Sequence, residues 1–345
     1  TGVGTGCGDL NADGFTDLAV GARQADPGGR ENAGETYVLF GPLAPGTLEL
    51  ATDADLTLNG VDEYDLSGYG LDGGDLNQDG TMDLVVGAWA ADSGGQLDAG
   101  EAYILFGPLA AGTAELATAA DAIVHGVDPL DHMGIDARIR DVNQDDVADL
   151  LLGATTADPG GRVDAGEAYI VYGPLTAGTV ALADIVDVIV AGINQQDYFG
   201  IGLAAGDITA DGIIDLIFGA FRADPEGRPN AGETYVMIGG TTCAGREATL
   251  IGTAGDDVLT GTAGDDVIVA LAGNDTVAGL DGNDWLCGGP GNDRYSGGAG
   301  TDRIIGEAGR DIADCGPDDD YMDGGAGIDV AMATCESTIN VEVTP

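Results

Sequence analysis

GDLNADGFTDLAVGA, running from Gly8 to Ala22, is the stretch that decides the fold. It returns as GDLNQDGTMDLVVGA from Gly74, RDVNQDDVADLLLGA from Arg140 and GDITADGIIDLIFGA from Gly206. The leading aspartates Asp9, Asp75, Asp141 and Asp207 lie 66 residues apart, and Glu35, Glu101, Glu167 and Glu233 keep the same interval, as do Tyr37, Tyr103, Tyr169 and Tyr235. Four copies without insertion or deletion require one structural unit, stacked or arranged radially.

Within a unit the pattern is β. DLAVGA, then ETYVLFG and its copies, are short apolar runs rich in β-branched and aromatic residues and bounded by Gly, Pro and Asp. A third run appears near Leu56, Ala122 and Val188, and the stretch before each Asp-rich loop adds a fourth. About four strands per unit is the strand count of a propeller blade. The run LTLNGVDEYD and its copies read as an outer strand preceding units two to four, with no copy before Thr1. A similar run, ATLIGTAGDD from Ala248, follows unit four and is expected to complete blade one of this chain or of a neighbour.

The loop DxNxDGxxD carries the chemistry. It sets side-chain oxygens at positions one, three, five and nine, a turn glycine at six and a carbonyl at seven, which is how a hard cation is bound. The expected ligands are Asp9, Asn11, Asp13, Asp17 and the Phe15 carbonyl in the first loop, and Asp75, Asn77, Asp79, Asp83 and the Thr81 carbonyl in the second. The third offers Asp141, Asn143, Asp145, Asp149 and the Val147 carbonyl, with Asp146 in place of the turn glycine. The fourth offers Asp207, Thr209, Asp211, Asp215 and the Ile213 carbonyl. The last two are expected to bind less tightly. Loops of this kind also form as solvated Asx-turns, but three carboxylates in nine residues repel one another unless a cation sits between them.

From Gly252 the period falls to nine, through GTAGDDVLT, GTAGDDVIV, ALAGNDTVA, GLDGNDWLC, GGPGNDRYS, GGAGTDRII, GEAGRDIAD, CGPDDDYMD and GGAGIDVAM. Position six is aspartate throughout: Asp257, Asp266, Asp275, Asp284, Asp293, Asp302, Asp311, Asp320 and Asp329. Position four is Gly except at Asp318, which is expected to spoil a site. The pattern GGxGxDxUx alternates a calcium-binding turn with a short strand. So thin a coil cannot offset its chain entropy alone and should fold only with metal. At tenfold the dissociation constant each site adds about 1.4 kcal/mol.

Composition agrees. The 345 residues carry a formal charge of −49, which excludes a phosphate-neutralising nucleic-acid surface and disfavours anionic membranes. All eleven basic residues are Arg, and 47 of the 60 acids are Asp, the small carboxylate suited to tight metal loops. Counting Asp256, Asp265 and Asp319 with the loop and position-six acids, 24 of the aspartates fall at expected cation sites. No apolar run reaches the length of a membrane span. The sequence starts at Thr1 with no basic-then-apolar leader, so a secretion signal is expected to have been removed or to lie outside this stretch.

The 66-residue units resemble FG-GAP repeats, the blades of the integrin α-subunit propeller, through Phe199-Gly200, the degraded Met133-Gly134 and Ser67-Gly68, and the GA of each DLxVGA. The resemblance covers residues 1–242 and implies a β-propeller with calcium loops on one face, although integrin propellers have seven blades and four units stand here. The nonapeptides over 252–333 resemble RTX repeats of secreted bacterial proteins. That likeness implies a parallel β-roll, two nonapeptides to a coil, with calcium between turns 18 residues apart held by position-six Asp and turn carbonyls. The expected architecture is therefore all-β: a four-unit propeller, a junction over 243–251, a β-roll, and a strand or tail over 334–345.

Five cysteines leave one over. Cys315 with Cys335, about one coil apart, is the preferred pair, and Cys243 with Cys287 would then anchor the roll; Cys7 is left over or pairs with Cys243. His125, His132, Trp89, Trp285 and the Glu35 series read as structural. No G-x-S-x-G, Walker or H-E-x-x-H motif is present. The expectation is a secreted calcium-binding structural or adhesive protein, not an enzyme, whose partners are other copies of itself or a cell-surface or matrix protein or glycan. The alternative is a non-catalytic module of a larger secreted hydrolase or adhesin.

Overall fold

The computed structural model describes residues 5–209, 213–239, 242–253, 255–332 and 334–343. It divides into two compact units, Thr1–Ala205 with Ile217–Val236, and Gly206–Leu216 with Met237–Pro345.

The first unit is a series of antiparallel sheets at the 66-residue interval. The first sheet runs Thr5–Gly8, Asp17–Ala22, Glu35–Leu39 and Leu56–Asn59, then takes a fifth strand, Gly112–Glu115, from the following repeat. This last strand lies parallel to its neighbour, with Leu56 opposite Gly112 and Asn59 opposite Glu115. The second sheet repeats the plan, with Gly178–Ala181 lent by the third repeat. The third sheet has four strands, and the fourth has three: Phe199–Gly206, Asp215–Ala220 and Glu233–Met237. Two apolar clusters fill this unit, one around Leu58, Leu71, Leu84 and Tyr103, the other around Val85, Ile104, Leu150 and Tyr169.

Successive repeats meet through glycine. A Cβ on Gly21 would stand 1.7 Å from the Gly68 carbonyl oxygen, and one on Gly153 would stand 1.8 Å from that of Gly200. No side chain fits, so the GA of each DLxVGA and the second residue of each FG-like pair are backbone-contact positions.

The outer strand is where the structure corrects the sequence. Leu56–Asn59 pairs antiparallel with Glu35–Leu39 and so belongs to the sheet of the loop that precedes it, leaving the first sheet complete. Among the described residues Leu250–Ile251 joins none of the first unit's sheets and pairs in parallel with Ile268–Val269 in the second unit. Periodicity locates a strand but does not say which neighbour it pairs with. Here the link decides: Asp55 accepts the Phe40 N–H at 2.8 Å and donates its own N–H to the Val38 carbonyl at 2.9 Å, folding the strand back. The shortened sheet is the fourth.

In the second unit, two six-stranded parallel sheets form the β-roll. Partners are 18 residues apart, as with Val267 and Trp285 or Thr276 and Arg294, so two nonapeptides make a coil. Position eight of each nonapeptide faces inward: Ile268, Val277, Leu286, Tyr295, Ile304, Ala313, Met322 and Ala331 form the core. The sheets run past the nonapeptides on both sides, starting at Leu250–Ile251 and ending with Ser337–Ile339 and Val341–Val343. Both preferred disulfides are present, with Cα atoms 5.6 Å apart for Cys243–Cys287 and 5.1 Å for Cys315–Cys335. Cys7 lies in the strand Thr5–Gly8, and its side chain is outside the described residues.

Candidate metal centres

In the first repeat, the Asp13 N–H is shared by Asp9 Oδ1 and Asn11 Oδ1, each at 3.0 Å, so two of the expected ligand oxygens converge on one point. The arrangement recurs on Asp79, from Asp75 and Asn77 at 3.1 and 2.9 Å, and on Asp145, from Asp141 and Asn143 at 3.2 and 3.1 Å. Position seven donates its N–H to the position-five carboxylate: Phe15 to Asp13, Thr81 to Asp79 and Val147 to Asp145, at 2.8–2.9 Å. Tight winding of these exposed loops needs two left-handed residues. One is at position six (Gly14 and Gly80, with Asp146 at φ 65° without glycine), and the other is at position four (Ala12, Gln78 and Gln144), which carries no sequence signal. In the fourth loop the Thr209 hydroxyl donates to Asp215 at 3.3 Å, and Asp211 lies outside the described residues. The Ile213 side chain packs toward Cys243 and Val269.

Position nine does something the spacing does not reveal. Asp17, Asp83, Asp149 and Asp215 are buried and bind the backbone of their own hairpin. Asp83 Oδ2 accepts the N–H groups of Leu76 and Asn77 at 2.8 and 3.3 Å, and its Oδ1 accepts that of Gly107 at 2.9 Å. Asp17 does the same with Leu10, Asn11 and Gly41. Burial pushes the Asp83 carboxyl up to about 6 against these hydrogen bonds.

The roll is organised as two ladders. Each position-six aspartate donates its N–H to Oδ1 of the aspartate one coil on: Asp257 to Asp275, Asp275 to Asp293, Asp293 to Asp311 and Asp311 to Asp329, all at 2.7–2.8 Å. The second ladder runs from Asp266 through Asp284, Asp302 and Asp320, and ends on Glu336, which accepts the Asp320 N–H at 3.0 Å. The other oxygen is different. Oδ2 of Asp275, Asp284, Asp302, Asp311, Asp320 and Asp329 is buried with no hydrogen-bond partner among the described residues. A buried carboxylate oxygen without a donor is costly unless a cation neutralises it. Burial accordingly pushes Asp293 and Asp302 up to about 6 and Asp311 to about 7.

These oxygens sit beside residues that the sequence pattern undervalues. A Cβ on Gly306 would lie 2.5 Å from Asp311 Oδ2 and 2.7 Å from the Gly324 carbonyl oxygen, and one on Gly297 would lie 2.5 Å from Asp302 Oδ2 and 2.2 Å from the Cys315 carbonyl oxygen. The position-one glycines thus keep a cradle of carboxylate and next-coil carbonyl oxygens open. That donor set, all oxygen, fits a hard divalent cation. Among the described residues no three His, Cys, Asp or Glu side chains form a metal-holding group by themselves.

Other candidates resolve as structure. Asp256 and Asp265 are exposed and accept the N–H groups of Asn274 and Asn283 at 2.8 and 2.9 Å, forming an outer ladder and not part of the buried row. Asp318 adopts φ 106°, keeping the shape of the glycine it replaces. Glu35, Glu101, Glu167 and Glu233 each accept the hydroxyl of the tyrosine two residues on. His132 bonds Thr156 at 2.7 Å and meets Trp89 edge-on, with centroids 4.8 Å apart. Arg246 and Arg303 each place a guanidinium over the Trp285 ring, 4.5 and 4.9 Å from its centroid.

Residues 248–277, 260–295 and 296–331 match the RTX calcium-binding nonapeptide repeat family, and residues 2–39 match the FG-GAP repeat. The roll is a calcium-binding repeat region. Both families are non-catalytic, and no helix of the described residues is long and apolar enough to cross a membrane. Among curated proteins, the chain is 29% identical over 220 residues to phosphatidylinositol-glycan-specific phospholipase D of Homo sapiens, covering 61% of this chain and 25% of that protein. It is 31% identical over 170 residues to the Mus musculus protein of the same name, covering 49% of this chain and 20% of that one. It is also 29% identical over 227 residues to integrin alpha-PS2 of Drosophila melanogaster, covering 63% of this chain and 15% of that protein. The chain thus spans a quarter or less of these relatives.

Proposed function

We propose that this chain is an extracellular scaffold whose four 66-residue repeats are blades of a β-propeller and whose two Asp systems hold calcium. In the repeats the ligands are Asp9, Asn11 and Asp13 with the Phe15 carbonyl, and their counterparts in the later loops, while the buried position-nine carboxylate, Asp17 in the first loop, is held by backbone N–H groups of its own hairpin. In the roll they are position-six aspartates and next-coil carbonyls. The observation that carries this reading is the row of six buried Oδ2 atoms without a donor. Bound calcium supplies positive charge to these oxygens and joins one coil to the next. Calorimetric titration of the chelated chain, followed by far-UV circular dichroism, tests it: several sites and a gain of β signal are expected, and absence of binding overturns it.

The rigid surface then serves adhesion, to other copies or to a cell-surface or matrix protein or glycan. Head-to-tail assembly by strand exchange draws support from the three-stranded fourth sheet, whose edge strand Glu233–Met237 exposes Val236 and Met237. Negative-stain microscopy in calcium and in EGTA tests assembly, and monodisperse particles at high concentration in calcium would sink it. The second reading, a non-catalytic module of a larger secreted hydrolase, is favoured by the likeness to the phospholipase D proteins. Isolation of the native polypeptide decides between them: a several-fold longer chain with hydrolytic activity supports the module.

A further inference from the structure

The nine roll turns are of two kinds. From the third turn onward, the turn of Asp275, position two is left-handed whatever the residue, as at Leu271 (φ 73°), Leu280 (φ 83°) and Gly289 (φ 90°), and position four is left-handed too, as at Gly273 (φ 133°). In the first two turns, neither Thr253 nor Thr262 at position two, nor Gly264 at position four, is left-handed. The carboxylate changes with the backbone. Asp257 Oδ2 accepts both the N–H and the hydroxyl of Thr253, at 2.6 and 2.9 Å, and Asp266 Oδ2 accepts both from Thr262, also at 2.6 and 2.9 Å. Each threonine oxygen in turn accepts the position-four glycine N–H, at 3.3 and 3.2 Å. Asp266 Oδ1 takes the Thr249 hydroxyl at 3.0 Å, so neither of its oxygens lacks a donor.

We propose that the first two nonapeptides form a cation-free cap, in which Thr253 and Thr262 occupy the carboxylate oxygen that calcium takes in the later turns. This rests on the reading of the roll as calcium-holding. The physical ground is that a carboxylate oxygen already receiving two donors has little left for a cation, and a turn closed by its own side chain does not wait for one. The cap lies beside the Cys243–Cys287 link, whose cysteines share a small core with Val269 and Leu271. It therefore offers calcium-dependent coils an ordered edge to build on.

The test is hydrogen exchange with mass spectrometry on the full chain in calcium and in EGTA, with ion stoichiometry from native mass spectrometry. Chelation should speed exchange at least about tenfold in the turns from 271 onward and less than about twofold at 253–257 and 262–266. Thr253→Gly with Thr262→Gly should bind up to two more ions than the unmodified chain, while Thr253→Ser with Thr262→Ser should behave like it. If the first two turns lose protection with the other seven, or if the glycine variant gains no ion, the cap is wrong and calcium binding by the roll stands. If no turn responds to calcium, the calcium reading of the roll falls and the cap with it.

Discussion

Asp83 in the repeats and Asp302 in the roll are both fully buried, yet they are buried for opposite reasons. Asp83 has three backbone N–H groups aimed at it from its own hairpin. Asp302 has one, on Oδ1, and its Oδ2 has none. The first carboxylate is a structural pin whose partners come with the fold. The second leaves an electrostatic demand that its own chain does not meet. Apolar packing follows the same division: the repeats enclose clusters of large side chains, whereas the roll core is built mainly from single position-eight residues, some as small as Ala313 and Ala331. Burial of an aspartate therefore says little about metal dependence. What decides it is how many donors the fold delivers to the buried oxygens.

Calcium removal should separate the two regions most sharply. In EGTA the roll is expected to lose its β signal and its protection beyond the first two turns, while the sheets from Thr5 to Ala220 keep theirs. Limited proteolysis with mass mapping reads this directly. Cleavage that starts equally in both regions would abolish the distinction between pinned and unmet carboxylates.

A matched pair of substitutions comes next. Asp83→Asn puts an amide nitrogen where an acceptor is needed and strands at least one buried N–H, costing about 3 kcal/mol with or without calcium. Asp302→Asn keeps an oxygen for the Asp284 N–H and removes a buried charge, so the metal-free roll should hold or gain stability. Its calcium-dependent stabilisation should fall by about 1.4 kcal/mol at tenfold the dissociation constant. Denaturant melts at fixed calcium measure both. Equal calcium dependence of the two losses would show that position nine and position six do the same work.

Much of this was legible in the sequence. The 66- and nine-residue periods located the Asp-rich loops and the short strands between them, and the preferred cysteine pairs are the ones present. The pairing of Leu56–Asn59 was not, because an apolar run is equally compatible with the sheet before it and the sheet after it. The parallel strands Gly112–Glu115 and Gly178–Ala181 escaped notice since they bond through backbone and have little apolar pattern. The threonines at 253 and 262 look like ordinary turn residues until the carboxylate they serve is seen. Position-one glycines carry no sign in the sequence of what they do, which is to leave out a Cβ beside Oδ2.

The smallest effect expected is one of pH, and it discriminates because it arises away from the loops. Asp65 and Asp131 are buried and pushed up to about 7, chiefly by burial; nearby carboxylates add to it, Asp62, Glu101 and Asp92 for Asp65 and Asp128, Glu167 and Asp158 for Asp131. Their backbone carbonyls accept the N–H groups of Ala90 and Thr156, at the far end of the central strands from the Asp-rich loops. The folded state thus holds protons that the unfolded chain, with carboxyls near 3.8, has released. Stability from these groups is full below about pH 4, declines as pH rises toward 7 and is flat above it. In EGTA, calorimetry should give the repeats a higher Tm at pH 5.5 than at pH 8, and Asp131→Asn should flatten the slope. Calcium should leave that slope unchanged in the repeats but oppose it in the roll, where protonating Asp302 or Asp311 removes the charge that holds the ion. An identical pH response of both regions in calcium would mean that the roll carboxylates, like Asp65 and Asp131, are buried without a cation.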